Sequence, residues 1–119
     1  PRTKGKLAQF GLDLKVKIIN PVGYFDMIAL LKNCSLVMTD SGGLQKEAFF
    51  FQKNCVTLRD QTEWIELIKN KVNVLAKADK NKIITAVNKM LTKKSDFAIN
   101  LYGNGKACEN IASKLLELF

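Results

Sequence analysis

The sequence predicts an α/β, Rossmann-like unit of three layers, with short parallel strands between helices. Three observations carry that expectation. Short apolar runs alternate with stretches of helical spacing, the pattern of a parallel sheet covered by helices. A Gly-Gly pair follows one apolar run directly and opens a helix. The 119 residues are enough for one core, and 47% hydrophobic with 25% charged residues is an ordinary globular balance.

Taken in order, Lys4–Phe10 reads as a helix end stopped by Gly11, and Lys15–Ile19 (KVKII) as a short strand closed by Asn20-Pro21. Tyr24–Lys32 has helical spacing, with Phe25, Ile28 and Leu31 on one side. Leu36–Thr39 is a buried strand, and Gly43–Phe51 a helix opened by the capping residues Asp40 and Ser41. Cys55–Leu58 is a third strand, Thr62–Lys69 a helix capped by Thr62, and Val72–Leu75 a fourth strand. Two amphipathic helices follow, Lys80–Leu91 and Lys106–Phe119, with a turn at Tyr102-Gly103-Asn104-Gly105 between them. Four strands are few for a doubly wound domain, so its first strands are expected to be missing. Pro1 stands where a start methionine would, which points to a piece of a larger protein.

Composition excludes several classes. Three widely spaced cysteines without a CxxC pair, and no histidine, argue against a metal site or a disulfide framework and for buried free thiols. Without histidine the commonest general acid/base is missing, so proton chemistry is expected elsewhere. No apolar run approaches the roughly 20 residues of a membrane helix, and no secretory leader is seen; a cytoplasmic protein with no membrane partner is expected. The formal net charge is +8, but only Arg2 and Arg59 are arginines and the lysines are scattered through helical segments. Solvated helix faces explain this better than nucleic-acid binding, while the charge still favours an anionic ligand.

The informative segment runs from Thr39 to Ala48. It leaves a strand and enters a helix, so it lies at the carboxyl edge of the sheet, where open α/β sheets bind ligands. Unpaired N–H groups at a helix start favour phosphate. Gly42 and Gly43 would let a phosphate approach the backbone, Ser41 adds a hydroxyl, and Glu47 lies one turn on, where a carboxylate could accept from two vicinal hydroxyls. The competing reading is a capped helix after a tight turn, because the spacing is neither a P-loop nor GxGxxG. At the next strand end, Arg59 could meet a phosphate and Thr62 cap a helix; a surface salt bridge is the alternative. Tyr24 could flank a base or pack in the core.

The run Thr39-Asp40-Ser41-Gly42-Gly43, with Gln45, Glu47 and Ala48, resembles the diagnostic motif of the UDP-N-acetylglucosamine 2-epimerase family. Pro1-Arg2-Thr3 with Leu7, Pro21 with Tyr24, Leu58-Arg59-Asp60 with Thr62-Glu63-Trp64 and Glu66, and Tyr102-Gly103 with Gly105-Lys106-Ala107 extend the likeness nearly end to end. The resemblance implies a GT-B-type two-domain architecture in which residues 1–119 are the incomplete C-terminal UDP-binding domain. The N-terminal catalytic domain would be a separate partner region carrying the acid/base carboxylates, and the whole protein a homodimer. It implies interconversion of UDP-GlcNAc and UDP-ManNAc by elimination and re-addition of UDP for surface polysaccharide, without a cofactor. This fragment would be inactive by itself. Ser41, Gly42 and Gly43 would hold the diphosphate and Glu47 the ribose, while Arg59, Thr62 and Glu63 would line the cleft. A hydrolysing 2-epimerase, a GT-B glycosyltransferase fragment and a non-catalytic nucleotide-sugar-binding module are the alternatives.

Some positions depart from the family pattern. Gln52 and Asn54 stand in a loop that commonly carries Gly and Pro, glycines near Lys71 and Lys77 are replaced, and Trp64-Ile65 stands for a common Arg-Pro. Wherever those glycines served a positive φ, each replacement would cost roughly 1 kcal/mol.

Overall fold

A computed structural model describes residues 2–118. In chain order the elements are α1 (Arg2–Gln9), α2 (Tyr24–Asn33), β1 (Val37–Thr39), α3 (Gly42–Phe50), β2 (Cys55–Thr57), α4 (Ile65–Lys69), β3 (Asn73–Leu75), α5 (Lys80–Thr92), a 3-10 turn (Gly103–Gly105) and α6 (Ala107–Leu118). The strands form a parallel sheet in the order β1-β2-β3, with Val37 opposite Cys55 and Cys55 opposite Asn73.

The layers follow from the two-residue period of the central strand. Cys55 packs with Val37, Ala48 and Leu31, so α3 and α2 cover one face. Val56 points the other way and packs with Ala76, Ala86 and Met90, which places α5 on the opposite face. All three β2 residues are buried, as expected of a strand covered on both sides. A third cluster of Phe49, Leu67 and Val72 joins α3 to α4.

Helix ends are made by one recurring device. At α1, the N–H of Leu12 donates to the Leu7 carbonyl and that of Gly11 to Ala8, with Gly11 at φ 60°. This Schellman arrangement ends the helix where glycine predicts. Lys53 to Ala48 with Gln52 to Phe49 repeats it after α3, and Val72 to Leu67 with Lys71 to Ile68 after α4. Gln52 (φ 56°) and Lys71 (φ 59°) therefore occupy left-handed positions that favour glycine, and Lys77 (φ 57°) is a third. The three departures from the family glycines fall on or beside strained backbone.

Lys15–Ile19 is not a strand: the segment carries no regular structure, and Val16, Ile18 and Ile19 are exposed. Alternation can choose a strand's face but cannot supply the neighbour whose backbone it must pair with. The described sheet therefore has three strands rather than four. Helix α4 begins at Ile65 rather than Thr62, because the Thr62 hydroxyl accepts from the Trp64 N–H and holds a turn open before it. Of the thiols, Cys55 is buried and Cys34 half-buried, whereas Cys108 is exposed on α6. That last one corrects the expectation of buried thiols: α6 has no buried residue. The described chain is elongated, 62 × 29 × 27 Å, because α1 and α6 pack little against the sheet. No described helix is long and apolar enough to cross a membrane.

Candidate functional site

Strand β1 ends at Thr39, and two residues later the chain enters α3. Thr39 is buried, and its hydroxyl accepts from the Ser41 N–H at 3.0 Å, which fixes the turn. Ser41 occupies the N-cap position with extended backbone (φ −80°, ψ 129°), but its side chain makes no capping bond. The simple-cap reading of Ser41 therefore fails: its exposed hydroxyl is not committed to the helix. The first amides of α3, those of Gly42 and Gly43 among them, have no carbonyl one turn earlier to bond.

The two glycines are glycine for different reasons. A Cβ on Gly42 would collide with Glu63 Oε1. At Gly43 no protein atom lies within 4 Å of where a Cβ would be, so this position faces open space. A side chain at Gly42 would displace the Glu63 carboxylate, the mobile end of a partly exposed side chain, and Gly43 leaves room at the surface. Glu47 is half-buried one helical turn beyond Gly43.

The segment after β2 closes onto this turn. Arg59 and Glu63 form a 3.0 Å ion pair, and both side chains are partly exposed. The salt-bridge alternative for Arg59 is the arrangement seen. Thr62 is half-buried and donates to Gln45 Oε1 at 2.7 Å. Gln45, 1% exposed, also accepts from Asn73 Nδ2 at 3.0 Å, and its amide donates to the Ser41 carbonyl at 3.3 Å. Asn73 in turn accepts from Thr57 Oγ1 at 2.9 Å. Every polar group in this chain of contacts has a partner, as a buried network must. It ties the first turn of α3 and the segment after β2 to the end of β2 and the start of β3.

Trp64 supplies the second tie. Its Nε1–H donates to the Gly42 carbonyl at 2.9 Å. Lys46 Nζ lies 4.4 Å from the centroids of both the Trp64 and Tyr102 rings. The Tyr102 hydroxyl donates to Glu66 at 2.7 Å, which holds the Glu66 carboxyl below its ordinary range, while burial and the same carboxylate push the phenol up.

Six of the eight expected site residues, Ser41, Gly42, Gly43, Arg59, Thr62 and Glu63, lie on two segments in contact, and Glu47 is one turn along α3. Tyr24 is not brought into that contact set: it opens α2, is 66% exposed and meets Phe25 edge-on, which also rules out core packing. Gln45 and Trp64 were not singled out as site residues, although one stands in the quoted motif and the other is the sole tryptophan. An open groove of about 510 Å³ between Phe49, Phe97 and Tyr102 contains none of the eight.

A parallel sheet flanked by helices on both faces, with a glycine turn at its carboxyl edge, defines a Rossmann-like α/β unit. The chain belongs to the UDP-N-acetylglucosamine 2-epimerase family, whose model matches residues 1–116; the family is one of isomerases. It is 50% identical to the UDP-2,3-diacetamido-2,3-dideoxy-D-glucuronate 2-epimerase of Pseudomonas aeruginosa, across 99% of this chain and 33% of that one. With the UDP-N-acetylglucosamine 2-epimerase of Methanocaldococcus jannaschii it shares 45% identity over 93% of this chain and 32% of the relative. A crystal structure of the Methanocaldococcus jannaschii UDP-GlcNAc 2-epimerase in complex with UDP-GlcNAc and UDP superposes with a TM-score of 0.84 at 44% identity, covering 98% of this chain and 34% of that one. The fold is therefore the GT-B-like fold of these enzymes. The chain spans about a third of the length of the relatives it matches.

Proposed function

We propose that this chain is the C-terminal, UDP-gripping part of a 2-epimerase that interconverts UDP-GlcNAc and UDP-ManNAc. The observation that carries the reading is the Ser41-Gly42-Gly43 turn, which opens α3 directly beyond β1 in a chain of this family. The diphosphate would lie against the first amides of α3 and the Ser41 hydroxyl, with the ribose hydroxyls on Glu47. Arg59 would exchange its Glu63 partner for a phosphate oxygen, and Glu63 would turn to the sugar. Thr62 acts from behind, through Gln45.

The reaction this grip serves is removal of the C2 proton, expulsion of UDP from C1 to leave a glycal, protonation on the other face and re-addition of UDP. UDP leaves the sugar but must not leave the protein, so fixed donors at the diphosphate hold it in the interval. The acid and base that move the C2 proton would come from the other part of the protein. A role in surface-polysaccharide synthesis, a cytoplasmic location and a homodimer complete the reading.

A second reading is favoured by the Pseudomonas aeruginosa relative, whose 50% identity exceeds the 45% shared with the Methanocaldococcus jannaschii enzyme. It keeps the chemistry at C2 and changes the sugar to a 2,3-diacetamido uronate. The whole protein that carries this chain should be given each UDP-sugar in turn and followed by proton NMR in D2O. A C2-inverted UDP-sugar with deuterium at C2 supports the proposal and identifies the sugar. Free N-acetylmannosamine with UDP would point instead to a hydrolysing enzyme, and an unchanged spectrum with both sugars would refute epimerisation.

A further inference from the structure

We propose that Trp64 is a positioning residue that fixes the diphosphate cradle, and that it does so through one peptide plane. The inference rests on the reading that the start of α3 holds a diphosphate. The Gly42 carbonyl and the Gly43 N–H belong to the same planar peptide unit and point in opposite directions. By donating to the Gly42 carbonyl at 2.9 Å, the Trp64 indole adds a second donor to a carbonyl in the first turn of α3 and so stiffens the plane that carries the Gly43 N–H. Donation to the carbonyl also polarises that N–H toward an anion.

The need for such a strut is local. The Gly42 carbonyl also takes the first-turn helix bond from the Lys46 amide, and Gly43, with no Cβ and open space where one would be, adds no side-chain packing to that restraint. Trp64 is itself restrained. Its ring has the Lys46 ammonium 4.4 Å from its centroid and meets Tyr102 edge-on with centroids 6.4 Å apart. Behind it the Tyr102 hydroxyl is anchored on Glu66. The N–H is therefore presented in one direction before any ligand arrives, which is the condition for useful preorganisation. Glu63, the neighbour of Trp64, also lies against Gly42.

The test uses the whole protein carrying Trp64→Phe, which keeps an aromatic ring and removes the N–H donor. Affinities for UDP and for uridine are measured by titration calorimetry, with a thermal melt as a control for folding. UDP affinity should fall about five- to tenfold, the effect of losing one hydrogen bond, while uridine affinity stays unchanged. A residue that only supports the fold would weaken both ligands alike. Equal losses for UDP and uridine, or no loss for either, would overturn the proposal. If Trp64→Phe melts early, β-(3-benzothienyl)alanine at position 64 keeps the bicyclic shape without the N–H and is held to the same criterion. Failure of the unmodified protein to bind UDP would refute the reading of the site itself, a separate outcome.

Discussion

Replacing the three left-handed non-glycine residues by glycine should stabilise the chain, and the amounts can be worked out site by site. A side chain in the left-handed region costs about 1–2 kcal/mol, and glycine returns about 0.5–1 kcal/mol of that through its freer unfolded state. The net gain is about 0.5–1 kcal/mol at Gln52 and at Lys71, whose backbone bonds stay intact on substitution. At Lys77 the gain is smaller, because its ammonium lies 3.6 Å from Asp60 in an exposed pair of modest value. The sites lie on three separate loops, so Gln52→Gly, Lys71→Gly and Lys77→Gly together should add about 1–2.5 kcal/mol. For a domain of this size that raises Tm by roughly 4–10 °C. Urea denaturation measures the free energy, with Lys89→Gly inside α5 as the control expected to lose about 1 kcal/mol. The reasoning is refuted if Lys71→Gly destabilises as much as the control does.

Three further outcomes follow from single contacts. Asn54 Nδ2 donates to the carbonyls of Met90 and Lys93 at 2.9 Å each, closing the end of α5, so Asn54→Ala should cost about 1–2 kcal/mol in the same urea assay. Burial pushes the Cys55 thiol up to about 11, against a smaller lowering from Thr57, whereas Cys108 is exposed. Ellman's reagent at pH 8 should therefore label Cys108 in the native chain and Cys55 only after unfolding; rapid native labelling of Cys55 would contradict that burial. The Tyr102 hydroxyl holds the Glu66 carboxyl below its ordinary value of 4.5, so this contact is fully present above that pH and is lost as pH falls through the lower folded value. Tyr102→Phe should flatten the fall of stability on acidification below about pH 4.5, and an unchanged slope would show that the hydroxyl does not set it.

The layered fold was legible because strands and helices announce themselves locally. The β1, α3, β2, α4 and β3 segments were each found within a few residues, and Gly11 ended α1 as a glycine in the left-handed region should. Lys15–Ile19 failed because a strand is a relation between segments, and its alternation carries no information about a neighbour. The glycine turn and Glu47 could be placed from a strand–turn–helix order alone. The inward turn of Thr62 could not, since it depends on Gln45, 17 residues earlier, which is itself bonded to Asn73, 28 residues further along from Gln45. Trp64 was hidden for the same reason: its partner Gly42 lies 22 residues earlier, and only the folded sheet brings their loops together. The replaced glycines were readable as departures, and the structure adds that Gln52, Lys71 and Lys77 stand at positive φ.

The central claim is that the turn at Ser41–Gly43 and Glu47 grip UDP. Titration calorimetry of UDP against the whole protein, with Glu47→Ala alongside, tests it most directly. Saturable binding that weakens about 10- to 100-fold in the variant, the effect of losing hydrogen bonds to a carboxylate, is the predicted result. Absence of UDP binding, or binding of equal strength in Glu47→Ala, would contradict the account.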